Sequence, residues 1–186
     1  MSDNSLEKIL EELSTSAKLI SQSDIEQLSH HIAEAKRVFI AGAGRSGFMV
    51  RAFSNRLMHL GYTTYFVGEP TTPSIQQGDL LIIGSGSGET SSLLNMAQKA
   101  KSQNAAVVLI TIYPESSVGQ LASFVVKLPG ATKKSNLGQG TIKTVQPLGS
   151  LFEQLLLLTC ESVIFNIKAT QAISDDEMFA RHANLE

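Results

Sequence analysis

Arg37-Val-Phe-Ile-Ala41 running into Gly42-Ala-Gly-Arg-Ser-Gly47, and Asp79-Leu-Leu-Ile-Ile-Gly84 running into Ser85-Gly-Ser-Gly-Glu-Thr90, are the stretches that decide the fold. Each is an apolar, β-branched run that breaks at glycines and then gives way to a helical pattern. A glycine loop between strand and helix lets backbone N–H groups approach an anion, and the helix N-terminus adds a favourable dipole. One such loop is a weak signal. Two, both with hydroxyls in reach, point to a phosphorylated small molecule at the C-terminal edge of a parallel sheet.

Working outward, the apolar residues Leu6, Ile9, Leu10, Leu13, Ala17 and Ile20 recur at helical spacing. Ser23 and Glu26 form a capping-box pattern for a second helix to about Ala35. The strand Val38–Ala41 and a helix from about Ser46 to Leu60 follow, with Gly61 placed to end that helix. Further strands read at Thr63–Val67, Leu80–Ile83, Val107–Ile112 and Phe124–Leu128. Helices read at Glu89–Lys101, at Ser117–Ala122, and over the apolar stretch Leu148–Ile167. Ser174 and Glu177 open a short terminal helix. Five strands mostly separated by helices predict a parallel sheet covered on both faces, a three-layer α/β/α sandwich. Pro129–Gln146 is the longest irregular stretch, the kind of loop that carries function.

Composition narrows the classes. The 186 residues, 42% hydrophobic and 17% charged, suit one globular domain spanning the chain. A net charge of −2, with only Lys133-Lys134 as a basic cluster, gives nothing for nucleic acid to bind. Cys160, the single cysteine, lies in an apolar run and reads as a buried inert thiol. No stretch of roughly 18 apolar residues and no signal-peptide pattern are found, so the expectation is a cytoplasmic protein without a membrane span.

The first loop, Gly42-Ala-Gly44-Arg45-Ser46-Gly47, also matches the dinucleotide fingerprint, with Glu69 after the next strand where a ribose-binding acid would sit. Little chain remains for a substrate domain, and Ser85, Ser87 and Thr90 supply more hydroxyls than that fold requires. Glu153 has apolar neighbours suited to a general base, yet Ser150 and Glu153 equally fit a capping box. His30 and His31 are adjacent and point to different faces, and His59 ends a helix whose dipole favours a cation. No histidine pair has metal-ligand spacing. His182 lies in the tail.

Both loops, the strand pattern and the Glu153 helix resemble the sugar isomerase (SIS) domain, a flavodoxin-like fold, over nearly the whole chain. Gln146-Pro-Leu-Gly-Ser-Leu-Phe-Glu153 and the ending Arg181-His-Ala-Asn-Leu-Glu186 are similar to its single-domain branch of ketose-phosphate isomerases in the ribulose monophosphate pathway of formaldehyde fixation. That resemblance implies interconversion of D-arabino-3-hexulose 6-phosphate and fructose 6-phosphate through a cis-enediol, with neither cofactor nor metal. It implies Glu153 as catalytic base and His182 as a second catalytic group, in its own subunit or a neighbour's. It implies a sugar-phosphate site at Gly44, Arg45, Ser46, Ser85, Gly86, Ser87, Gly88, Glu89 and Thr90. It implies a homotetramer working beside a hexulose phosphate synthase. The alternatives are a non-catalytic sugar-phosphate sensor and an NAD-binding Rossmann protein.

Overall fold

The computed structural model describes residues 4–131, 143–147 and 149–185. The elements run α1 (Ser5–Ala17), α2 (Gln22–Glu34), β1 (Val38–Gly42), α3 (Gly44–His59), β2 (Thr64–Phe66), β3 (Leu80–Gly84), α4 (Ser91–Ser102), β4 (Ala106–Thr111), β5 (Phe124–Lys127), α5 (Ser150–Thr170) and α6 (Asp175–Phe179). The strands form one parallel sheet in the order β2-β1-β3-β4-β5. This is the parallel sheet that the strand–helix pattern predicts, in the flavodoxin-like form that the family resemblance implies.

The continuous apolar strands follow from burial on both faces. In β3, Leu80 and Ile82 join the core under α2, α3 and α5, while Leu81 and Ile83 join a second core under α4. Each such side chain, fully buried, contributes roughly 1.5–3 kcal/mol. The chain leaves β1 through α3 on one face and leaves β3 through α4 on the other. The crossover direction therefore reverses between β1 and β3, and a crevice opens at their C-terminal ends. Gly42 of β1 lies opposite Gly84 of β3, so the two glycine loops leave the sheet side by side.

At the far end of α3, Gly61 adopts φ +98°, Tyr62 N–H donates to the Leu57 carbonyl (3.0 Å) and Gly61 N–H to Met58 (2.9 Å). That is the glycine-ended stop read from the sequence. The capping box of Ser174 and Glu177 also forms as read.

Other expectations are corrected. The cap of α2 is Ser21, whose hydroxyl accepts from Asp24 N–H at 3.2 Å. Ser23 and Glu26 lie inside the helix, where their side-chain oxygens accept from Gln27 and Gln22. Residues 117–122 form turns and not a helix. Ser117 N–H donates to Glu89 and Val118 N–H to the Gly88 carbonyl, while Leu121 N–H and Ala122 N–H close turns on the Val118 carbonyl. Helix α4 begins at Ser91 instead of Glu89, and α5 continues to Thr170. With mean hydropathy 1.3, α5 is long and apolar enough by length and composition to cross a membrane. One face of it, including Leu151, Phe152, Leu155, Leu156, Val163, Ile164 and Ile167, packs instead into the core with α2, α3 and the sheet, while Leu158 and Phe165 stay exposed. Lys133, Lys134 and most of the Pro129–Gln146 stretch lie outside the described residues.

Candidate active site

A cavity of about 630 Å³ occupies the crevice above β1 and β3, within the size range of small-molecule sites. Gly44, Arg45 and Ser46 form one wall, Ser85, Gly86, Ser87 and Thr90 a second, and Gln146, Gly149 and Glu153 a third. Phe152 lies beneath, so close to Gly86 that a Cβ there would sit 3.1 Å from its ring.

Glu153 reaches the cavity because of its place on α5. Leu151 and Phe152 are buried in the core, and one residue further round the helix the side chain faces the crevice. The capping-box alternative is not realised. Gly149 is the N-cap of α5, with no side-chain cap bond. The Glu153 carboxylate instead accepts from Arg45 Nε at 2.5 Å. The Glu153 side chain is 13% exposed and that of Arg45 67%. The pair brings a largely enclosed carboxylate and an accessible guanidinium to one point of the crevice.

The second loop is internally braced. Ser85 Oγ accepts from Gly88 N–H (3.1 Å) and Ser87 Oγ from Glu89 N–H (3.2 Å). Both serines are buried, and each hydroxyl still has its own proton to donate. Thr90 is the N-cap of α4 but makes no side-chain cap bond. Thr90 lines the cavity at the start of α4, where the first N–H groups of a helix have no partner within the helix.

Three residues expected in the site lie outside its lining. Gly88 and Glu89 tie the loop to the segment after β4: the Glu89 carboxylate accepts from Ser117 N–H (2.7 Å) and Ser117 Oγ (2.6 Å). His182 stacks on His59 with ring centroids 5.2 Å apart. His59 ends α3 while Arg45 begins it, so His182 stands roughly 20 Å away, at about 1.5 Å of rise per residue. His59 itself departs from the reading of a dipole-favoured cation. It is buried, and desolvation, then His182, push its pKa below the ordinary value. Glu69 pairs with Arg51 at 3.2 Å and does not line the crevice. Cys160 is buried and its thiol is pushed up by desolvation, as an inert residue would be. The sequence reading missed Gln146 and Thr144 as wall residues, although both fall in the irregular stretch it marked.

A doubly wound parallel sheet with two glycine loops at its switch point and a carboxylate from the last core helix defines a sugar isomerase domain. Residues 31–158 match the SIS domain family, and the chain belongs to it. The 3-hexulose-6-phosphate isomerase of Bacillus subtilis (strain 168) is 48% identical over 179 residues, 96% of each chain. That of Mycobacterium gastri is 38% identical over 183 residues, 98% of this chain and 90% of the relative. A crystal structure from Methanococcus jannaschii, for which a function of 3-hexulose-6-phosphate isomerase was inferred, superposes with a TM-score of 0.83 at 34% identity, covering 97% of this chain and 98% of that one.

Proposed function

We propose that the whole chain acts as one SIS domain that interconverts 3-hexulose 6-phosphate and fructose 6-phosphate, serving the ribulose monophosphate route of formaldehyde fixation. The observation that carries this reading is the Glu153 carboxylate, enclosed in the crevice and met there by Arg45. Identity to named isomerases over nearly the full length supports the choice of substrate.

In this reading the 6-phosphate sits at the second loop. Ser85, Ser87 and Thr90 donate hydroxyl protons, and the N-terminus of α4 adds N–H groups and its dipole. Ser46 and the Gly44 backbone shape the opposite side, the Gly86 backbone lines the same wall as Ser85 and Ser87, and Gly88 and Glu89 hold the loop from behind. Glu153 removes the proton from C2 of the 3-hexulose, and the electron pair forms the C2=C3 double bond of a cis-enediol. The proton is returned to C3, while the hydroxyl proton passes from O2 to O3, leaving the carbonyl at C2. Arg45 stabilises the negative charge that develops on the enediolate oxygen. A pair as exposed on its Arg45 side as this one is worth only about 0–1 kcal/mol, so the bound sugar can draw the guanidinium to its carbonyl oxygen, leaving the carboxylate free to take the proton and the guanidinium in place for the enediolate.

His182 is too far from Glu153 to serve the same site; its role as a second catalytic group would be in another copy of the chain. Assembly as a tetramer is supported by apolar side chains left exposed on helices, Leu158 and Phe165 on α5 and Leu6 and Leu10 on α1. A monomeric mass by light scattering would refute it. Pairing with a hexulose phosphate synthase, which makes the substrate, belongs to the same proposal. The catalytic reading is tested by Glu153→Gln, which should abolish most isomerisation while fructose 6-phosphate still binds.

A further inference from the structure

Helix α1 lies outside the stretch that matches the SIS family, yet it reaches the wall of the cavity. Both oxygens of Glu12 are occupied by one short segment. Oε1 accepts from Val145 N–H at 3.0 Å, and Oε2 accepts from Thr144 Oγ1 at 3.1 Å and Gln146 Nε2 at 2.9 Å. Thr144 Oγ1 in turn accepts from Gln146 N–H at 3.0 Å. Gln146 is 6% exposed, and both it and Thr144 line the cavity that holds Glu153. Next in the chain, the Pro147 carbonyl accepts from Ser150 N–H at 3.1 Å, joining the clamped segment to the start of α5.

An ionised carboxylate only accepts hydrogen bonds. Glu12 therefore decides which way the Gln146 amide faces: Nε2 must turn toward α1, and Oε1 is the end left for the cavity. An amide oxygen held there adds a neutral acceptor, beside the Glu153 carboxylate, to a site whose loop hydroxyls, backbone N–H groups and Arg45 can donate. Sugar hydroxyls need such an acceptor. Three hydrogen bonds to an ionised acceptor make a charge-assisted grip, on a helix of which Leu13 packs against the core while Leu6 and Leu10 stay exposed.

We propose that Glu12 is a positioning residue for the sugar site, orienting Gln146 so that its amide oxygen accepts from a hydroxyl of the substrate chain. The inference rests on the isomerase reading above. Its test is a double-mutant cycle on the full-length chain with kcat and KM measured for fructose 6-phosphate isomerisation. Glu12→Ala and Gln146→Ala should each raise KM about three- to tenfold, the worth of one neutral hydrogen bond, with smaller changes in kcat. The double variant should match Gln146→Ala within about twofold, because Glu12 acts through that side chain. Glu12→Gln, isosteric and uncharged, guards against a folding defect. It no longer dictates the amide orientation and should raise KM in the same direction, about two- to fivefold. Losses that multiply in the double variant, or an unchanged KM in both Glu12 variants, overturn the inference while leaving the isomerase reading intact. A wild-type chain that turns over no hexulose phosphate overturns both.

Discussion

Replacing Gly47 with alanine should damage the site more than the fold. Gly47 lies in the first turn of α3, against the end of β1. A Cβ there would meet the Gly42 carbonyl oxygen at 2.8 Å and its carbon at 3.0 Å. Ordinary contact begins near 3.4 Å, so about 0.6 Å must be found, and the neighbour is backbone of a strand hydrogen-bonded on both sides. The start of α3 has to move, and it carries Arg45 and Ser46 into the cavity. Overpacking of this kind costs about 1–3 kcal/mol, and alanine returns about 1 kcal/mol of helix propensity. The net is about 1 kcal/mol, a fall in Tm of roughly 2–4 °C for a chain of this size. Activity is more sensitive, because a misplacement approaching 1 Å can cost up to about 10²-fold. A loss of roughly tenfold in kcat/KM is expected. Thermal unfolding and steady-state kinetics on the same preparation check both figures. A variant within twofold of wild type in kcat/KM would refute the claim that the close approach of Gly42 and Gly47 sets the position of Arg45.

Ser87→Ala combined with Thr90→Ala should raise KM at least about tenfold, since hydrogen bonds to a charged phosphate are being lost, and leave kcat nearer to wild type. An unchanged KM would place the phosphate elsewhere. The buried His59 makes a pH prediction. Its folded pKa lies below the ordinary 6.5, so below about pH 6.5 the unfolded chain binds the proton that the folded one resists. Stability contributed here is complete above that pH and is lost as pH falls toward the folded pKa. Tm measured at pH 7 and pH 5.5 should fall for wild type and fall less for His59→Gln. Equal declines would mean that His59 does not drive the acid sensitivity.

The sheet was legible because its signals are local. Val38–Ala41 and Leu80–Ile83 are apolar on both faces, and glycines end each run where the chain must turn. The order of crossovers then put both loops at one crevice. What stayed hidden is the pairing of residues distant in sequence. Ser150 and Glu153 read equally as a helix cap and as an active-site start, and only the approach of Arg45, 108 residues earlier, separates the two. The same holds for Glu12 and Gln146, 134 residues apart. The turns at 117–122 illustrate the reverse failure. A locally plausible helix is realised only as turns, whose first N–H groups go to Glu89 and the Gly88 carbonyl. His59 and His182 carry no pattern that foretells their stacking, which follows from α6 docking at the end of α3.

The central claim is that Glu153 takes a proton from the carbon next to the ketose carbonyl on the C3 side. Incubating the protein with fructose 6-phosphate in deuterated water, and reading the label by NMR, tests this without any coupling enzyme. Wild type should incorporate deuterium at C3, and Glu153→Gln should slow that incorporation by roughly 10²–10⁴, the span of a general base. Exchange at C1 alone would mark an aldose–ketose isomerase. Saturable binding with no exchange would mark a sensor, and exchange at C3 undiminished in Glu153→Gln would remove Glu153 from the mechanism.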